Sequence, residues 1–355
     1  MGNNAPTSQL RSTWALLALI ITLLVLLGLS FVLSLSFGSV AYSREQVWQV
    51  VLAHLRGEPV ADTSLDAVIW QLRAPRGLLA LLVGAGLALS GVAMQTLVRN
   101  PLADPYLLGV ASGACVGATA VLTFGLFSSL GVYALSGGAL IGALAATASV
   151  YAITRLQGGF HPLQLILTGV VMSSAFSAAA SFLVFKGPDP RAAQSVMFWL
   201  LGSVAGANFS KLIIPGVVLV IAALIMLAVH RNLDALMAGP DVAASLGVRV
   251  DAMRQLLFVI QALLVGAMVA VAGGIGFVGL VIPHVGRLLV GSLHARLIPV
   301  VMLCGALFLL WVDVLARIAA PPQEIPLGVV TGVLGAPLFL ILMGRKTLRF
   351  QGGQA

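Results

Sequence analysis

The sequence predicts an all-α polytopic membrane protein with ten transmembrane helices. Three observations favour this fold class: a mean hydropathy of +1.08, a charged fraction of only 8%, and repeated long apolar runs. Soluble domains carry about 25% charged residues, and a spanning helix needs about 20 apolar residues. An outer-membrane barrel would instead show short segments of alternating hydrophobicity. We therefore interpret residues 1–355 as a single transmembrane domain.

The predicted spans follow one another along the chain with short polar connections. The first, at about 14–35, exceeds the roughly 7–15 apolar residues of a signal peptide. We therefore predict an uncleaved helix, although Ser39-Val40-Ala41 resembles a cleavage site. The others are predicted at about 77–97, 106–126, 132–154, 163–185, 212–229, 255–274, 278–292, 297–317 and 327–344.

Lysine and arginine in the loops set the predicted orientation. With both termini cytoplasmic, eleven of the 19 basic residues fall on the cytoplasmic side and eight on the outer side. This weak excess follows the positive-inside rule and makes 345–355 a cytoplasmic tail. We expect a multi-pass protein of the inner (plasma) membrane. The net charge of +8 is too sparse for a nucleic-acid partner.

Two segments are too short or too polar to span. "PRAAQSVMFWLLGS" predicts an interfacial helix anchored by Trp199. In "GPDVAASLG", Pro240 and Asp241 occupy a first helical turn and Gly247 a C-terminal cap. The sequence therefore predicts a short contact helix outside the membrane, within about 233–247.

An internal echo indicates an inverted repeat. "LVGAGLALSG" from Leu82 matches "LVGAMVAVAG" from Leu264 at six of ten positions, with an offset of 182 residues. The two copies would cross the membrane in opposite directions, as in many transporters. The second to fifth helices would then correspond to the seventh to tenth, unless the match is coincidence among small apolar residues.

Chemical motifs are scarce. The sequence has no G-x-x-x-x-G-K-[ST] nucleotide loop and no H-E-x-x-H or G-x-S-x-G motif, so enzymatic activity is not indicated. Its two cysteines lie in apolar runs and indicate neither a disulfide nor a metal site. Asp313 is either an ion-pair partner of Arg317 or a proton-relay carboxylate, and His284 either lines a helix break or caps a helix end.

Three segments, in this order along the chain, resemble one family of permeases. They are "RAPRGLLALLVGAGLALSGVAMQTLVRNPLADPYLLGVASGA", "GGIGFVGLVIPHVGRLLVG" and "DVLARIAAPPQEIPLGVVTGVLGAPLFLILM". Together they are similar to the FecCD-type family, the permease subunits of binding-protein-dependent ABC importers for iron chelates, haem and vitamin B12. The similarity extends over nearly the whole chain after the first helix.

The resemblance implies partners and no cofactor. It implies a homodimer or paired permease, two separate ATP-binding subunits that carry the ATPase activity, and a periplasmic or lipoprotein substrate-binding protein. The contact segment becomes a pair of coupling helices against the ATP-binding subunits. The residues that this assigns to coupling are Leu236, Met237, Gly239, Asp241, Ala244, Leu246 and Gly247.

The resemblance also implies a docking site and a gate. Arg73, Arg76 and Arg317 are expected to face outward and pair with glutamates of the binding protein. The cytoplasmic gate is expected at two turns, where His161 replaces the small hydroxyl residue of the family; its residues are Asn100, Leu102, His161, Pro162 and Leu163. Asp104 is interpreted as a helix N-cap.

The expected substrate is a metal chelate. "MFWLLGS" is more similar to the iron-siderophore members of the family than to the haem members, which favours a ferric siderophore. Haem and cobalamin are the alternatives within the family. A proton-coupled secondary transporter is a less favoured alternative from another class, because Asp313 is its sole candidate carboxylate within a span.

Overall fold

The computed structural model describes residues 13–38, 40–159 and 161–351, without the side chains of Pro190 and residues 342–351. Every regular element in these ranges is helical. The first eight α-helices are α1 (Thr13–Ser34), α2 (Arg44–Arg56), α3 (Thr63–Asp66), α4 (Ala74–Leu97), α5 (Val110–Phe124), α6 (Ala134–Leu156), α7 (Pro162–Lys186) and α8 (Pro190–Leu200). The other seven are α9 (Ile213–Ala228), α10 (His230–Ala238), α11 (Pro240–Ser245), α12 (Val250–Ala272), α13 (Val278–Val290), α14 (His294–Ile318) and α15 (Leu327–Gln351).

Helix lengths confirm a polytopic helical membrane protein. Among the described residues, seven helical segments are long and apolar enough to cross a bilayer. Three shorter apolar helices, α5, α13 and the first part of α15, coincide with the remaining predicted spans. The exact count of ten stays a prediction. So does the inverted repeat, whose two echo segments lie on α4 and α12, helices that pack against each other.

Helix α4 forms the centre of the bundle. Nearly all of its residues are buried, and it packs against α12, α13 and α14. Glycines bring these helices together: a Cβ at Gly84 would collide with the carbonyl of Gly305, and one at Gly91 with the carbonyl of Gly279. Small residues allow this approach, and close packing replaces the hydrophobic effect as the force between helices in lipid.

The helix axes define two ends of the molecule. The 24 residues of α4 span about 36 Å at 1.5 Å per residue, which matches a bilayer. We call the end containing the N-terminus of α4 and the C-terminus of α14 the arginine end, after Arg76 and Arg317. The opposite end, containing Asn100 after α4 and His294 at the start of α14, is the coupling end.

Three elements differ in extent from the sequence prediction. The second span does not begin at residue 77, because a continuous helical segment runs from Thr63 to Leu97 through a π-helical stretch at Ala67–Arg73. Helix α15 continues to Gln351, into the predicted tail. Residues 352–355 and 1–12 lie outside the described residues, and so does Ser39 of the sequence that resembles a cleavage site. The contact segment contains two helices, α10 and α11, because Gly239 between them adopts φ 137°.

Candidate functional site

A buried ion cluster lies at the arginine end. Asp313 on α14 is fully buried and accepts hydrogen bonds from Arg76 Nε and Nη2 at 2.9 and 2.8 Å. Arg317 Nη2, one turn further along α14, lies 3.1 Å from the second oxygen of Asp313. The predicted i,i+4 pair is therefore present, and Arg76 joins it from α4. With both oxygens engaged by guanidinium groups, Asp313 serves as their counter-ion.

The three predicted docking arginines have different surroundings. Arg73 donates to the carbonyls of Leu35 and Val40 at 2.7 and 2.6 Å, so it holds the connection after α1. Arg317 likewise donates to a carbonyl of that connection, and both side chains are buried. Arg76 alone of the three pairs with an exposed group, because its Nη1 donates to Glu324 at 2.8 Å and Glu324 is 43% exposed.

One predicted gate turn follows α4 at the coupling end. Asn100 Oδ1 accepts from the backbone N–H of Leu102 at 2.9 Å, and the Leu102 side chain is 42% exposed. Asp104 accepts from the Tyr106 N–H at 2.7 Å and caps the 3-10 helix Pro105–Leu108. The N-cap interpretation of Asp104 is therefore confirmed. The turn presents Leu102 on a short, internally hydrogen-bonded backbone.

The second predicted gate turn joins α6 to α7. Its residues His161 and Leu163 are exposed, and Pro162 occupies the first position of α7. Gln164 fixes this turn by donating to the backbone and side-chain oxygens of Gln157, both at 3.0 Å. A leucine therefore projects from each gate turn, Leu102 from one and Leu163 from the other.

The contact segment presents one exposed side. Of the residues predicted to couple, Asp241, Ala244, Leu246 and Gly247 are exposed and Met237 is half-buried. Leu236 and Gly239 are buried, so they hold α10 and α11 against the bundle instead of facing a partner. Leu246 is apolar and 67% exposed.

A cavity of about 640 Å³ lies between α5, α7, α8 and the loop before α13. Hydroxyl, sulfur and apolar groups line it, and no charged side chain does. Tyr106 Oη closes its floor by bonding both the N–H and the carbonyl of Ile275 at 3.1 Å. A second cavity of about 360 Å³ shares Tyr106 and Ser173 and reaches Asp104 beside the gate turn. The two cavities together extend from the level of α8 towards the coupling end.

Several polar residues of the site belong to no motif role predicted from the sequence. Glu324, the exposed partner of Arg76, lies within a quoted motif, yet only the fold brings the two together. Asp234 and His294 are 60 residues apart and meet at the coupling end. Burial raises the pKa of Asp234, but hydrogen bonds from His294 outweigh burial and leave that pKa below its ordinary value. The serines of the cavity wall recur every four residues along α7, a signal that was present in the sequence; they are Ser173, Ser177 and Ser181.

Metal-binding chemistry is not evident in the described part of the chain. Within residues 13–38, 40–159 and 161–351, no group of three or more histidine, cysteine, aspartate or glutamate side chains could hold a metal ion. Cys115 and Cys304 are both free thiols.

Comparison with known proteins identifies the class. The sequence profile of the FecCD transport family matches residues 22–345. A molybdate import system permease protein of Haemophilus influenzae is 38% identical, over 90% of this chain and 94% of that protein. A hemin transport system permease protein of Yersinia pestis is 37% identical, over 93% and 96%. A metal-chelate-type ABC transporter solved in an inward-facing conformation superposes with a TM-score of 0.81 at 36% identity, covering 92% of this chain and 99% of that one.

The fold and these likenesses define a multi-pass membrane permease. More particularly, the chain belongs to the FecCD transport family.

Proposed function

We propose that this chain is the transmembrane subunit of an ATP-driven importer that moves a metal chelate into the cytoplasm by alternating access. The observation that carries the proposal is the position of the 640 Å³ cavity, which shares Tyr106 and Ser173 with the smaller cavity. The smaller cavity is lined by Asp104, two residues after the gate residue Leu102. The exposed contact segment lies at the same end of the molecule. A path for substrate and a surface for an energy-supplying partner therefore adjoin each other.

The energy source is proposed to be a partner protein. The sequence lacks the loop that cradles nucleotide phosphates, so this chain offers no Walker-type site for ATP. Two ATP-binding subunits would hold the exposed side of α10 and α11, around Leu246. Their closure on ATP would move this segment as a rigid body and open or close the gate. A second permease copy, in a homodimer or a paired permease, would complete the pathway.

The proposed substrate is a ferric siderophore. The cavity wall offers serine hydroxyls, which hydrogen-bond the amide and hydroxyl groups of such a chelate. Haem carries two carboxylates and molybdate two negative charges, yet no lysine or arginine lines the larger cavity. The wall therefore favours a ferric complex whose charge is neutralised within its own ligand. Haem and cobalamin are the alternatives.

The arginine end is proposed to receive the substrate-binding protein. Arg76 holds the exposed Glu324, and a carboxylate of the binding protein would replace Glu324 on Arg76. Arg73 and Arg317 would support this site through their bonds to backbone carbonyls.

The Glu324→Gln variant tests the docking proposal without disturbing the buried cluster. Removing the competing carboxylate is expected to strengthen binding of the binding protein by about two- to fivefold, the size of one exposed ion pair. The affinity would be measured by titrating the labelled binding protein onto the permease in nanodiscs. An unchanged or weakened affinity would refute the exchange of carboxylates on Arg76.

The proton-coupled alternative finds little support in the geometry. Its candidate carboxylate, Asp313, is bonded to Arg76 and Arg317 and reaches neither cavity described above. Both of its oxygens are already engaged by guanidinium groups, which is the arrangement of a structural counter-ion.

Substrate and class are tested together by purifying the permease with its ATP-binding subunit and its binding protein. The binding protein is titrated with ferric siderophores, haem, cobalamin and molybdate, and its intrinsic fluorescence is followed. ATP hydrolysis by the complex is then measured with each loaded form. We expect a ferric siderophore to bind and to stimulate hydrolysis. Stimulation by haem or cobalamin instead would refute the substrate, and no stimulation by any loaded form would refute the class.

A further inference from the structure

Three polar side chains form a continuous hydrogen-bonded chain at the coupling end, of which His294 and Thr96 are buried and Asp234 is half-buried. Asp234 Oδ1, on α10, accepts from the backbone N–H of His294 at 2.9 Å and from its Nδ1 at 2.6 Å. His294 Nε2 lies 2.9 Å from Thr96 Oγ1, near the end of α4. His294 is 2% exposed and Thr96 is fully buried. One imidazole ring therefore connects the contact segment to the central helix.

This hydrogen-bonded chain joins α10, the start of α14 and the end of α4, which the proposed mechanism requires to move together. Asp234 belongs to the contact segment and caps the free N–H at the start of α14. Thr96 lies four residues before the gate residue Asn100. The Arg99 guanidinium also lies near the contact segment, 3.8 Å from the position that a Cβ of Gly239 would take. Helix α10 is therefore connected by hydrogen bonds to the start of α14 and to the residues before the gate.

The hydrogen bonds persist in both protonation states of His294. In the neutral ring Nδ1–H donates to Asp234, and Nε2 accepts from the Thr96 hydroxyl. In the charged ring Nε2–H donates to Thr96 Oγ1, whose own proton then bonds the Val92 carbonyl at 2.8 Å. The connection between α10 and α4 is thus intact whichever form is present.

Hydrogen bonding gives the contact between α10 and α4 one preferred register. Apolar side chains could pack the same space, but they would allow α10 to slide along α4 without a preferred register. The hydrogen bonds of 2.6–2.9 Å fix a single register, because breaking the one between His294 and Thr96 leaves buried polar groups unpaired. The chain thus resists sliding of the contact segment relative to the gate.

We propose that Asp234, His294 and Thr96 are positioning residues that carry the movement of the contact segment to the gate turn. This inference rests on the proposed function, since it assumes that an ATP-binding partner moves α10 and α11. The link acts on Asn100 and Leu102 through α4 and touches no substrate.

The matched pair Thr96→Val and Thr96→Ser isolates the hydroxyl. Valine keeps the shape of threonine without its hydroxyl, whereas serine keeps the hydroxyl without the methyl group. The full complex, with ATP-binding subunits and binding protein, is reconstituted in proteoliposomes, and uptake of ferric siderophore and hydrolysis of ATP are measured in the same vesicles. Thr96→Val is expected to lower uptake per ATP about tenfold, the factor for a lost hydrogen bond of about 1.4 kcal/mol. Thr96→Ser is expected to retain the wild-type ratio.

His294→Gln is the second variant, for use if Thr96→Val does not fold. Its amide nitrogen reaches towards Thr96 in place of Nε2 but cannot replace the Nδ1 bond to Asp234, so the same loss of uptake per ATP is expected. A wild-type ratio in a folded Thr96→Val or His294→Gln protein would overturn the link. An equal loss in Thr96→Ser and Thr96→Val would also overturn it, because packing of the methyl group would then be responsible.

The same vesicles separate failure of the link from failure of the proposed function. If the wild-type complex hydrolyses ATP without taking up substrate, the proposed function and the link both fall. If wild-type uptake is normal and the variants match it, the link alone falls.

Discussion

Replacing Asp313 with asparagine removes the only anionic partner of Arg317 among the described ion pairs and one of two partners of Arg76. Asp313 is fully buried, and the side chains of Arg76 and Arg317 are 11% and 5% exposed. Arg76 would keep the exposed Glu324, but Arg317 would keep only neutral carbonyl partners. Breaking a buried pair in this way costs about 3–5 kcal/mol, since an uncompensated charge remains in a water-poor site.

The assay is reversible unfolding of the purified protein in mixed micelles, monitored by circular dichroism. The free energy of unfolding of Asp313→Asn is expected to fall by about 3–5 kcal/mol. Glu324→Gln is the matched control, because it removes an anion from the exposed side of the same cluster and is expected to cost less than about 1 kcal/mol. A loss below about 1 kcal/mol in Asp313→Asn would refute the assignment of Asp313 as a structural counter-ion.

Three further predictions concern the coupling surface, the helix packing and the cavity. Leu246→Asp is expected to weaken binding of the ATP-binding subunit by about tenfold or more in pull-down titrations, because an exposed apolar side chain is lost. The neighbouring variant Ser245→Ala is the control and is expected to bind the ATP-binding subunit as the wild type does. Gly91→Ala is expected to lower the free energy of unfolding by about 1–3 kcal/mol, because its Cβ would clash with a backbone carbonyl. Gly28→Ala is the control: nothing lies within 4 Å of its Cβ, so the free energy of unfolding is expected to change by less than about 0.5 kcal/mol. Ser177→Trp is expected to fill part of the cavity and block uptake while ATP hydrolysis continues; undiminished uptake would contradict a path through this cavity.

The sequence predicts helices well here because the bilayer imposes a simple rule. Each apolar run of about 20 residues must satisfy its backbone internally, so hydropathy alone locates the helix. Hydropathy did not locate the extension of the second span back to Thr63, because Arg73 and Arg76 interrupt the apolar run there. The division of the contact segment at Gly239 depends on one backbone angle, which hydropathy does not encode.

Residues of the candidate site were predictable only where a local pattern marks them. Asp104 precedes Pro105 at the start of a helix, and its capping role follows from that order. The joining of Arg76 to Asp313 and Glu324 spans more than 230 residues and depends on how α4 packs against α14. The Asp234–His294–Thr96 chain likewise depends on helix packing, since each residue alone resembles an ordinary polar residue near a helix end.

The central claim is that ATP hydrolysis by a partner drives a metal chelate through this permease. The most direct measurement is uptake of a ⁵⁵Fe-labelled siderophore into proteoliposomes containing the permease, its ATP-binding subunit and the loaded binding protein. We predict uptake when ATP is present on the side of the ATP-binding subunits and none with a non-hydrolysable analogue. Uptake by the permease alone, driven by a proton gradient without ATP, would contradict the claim.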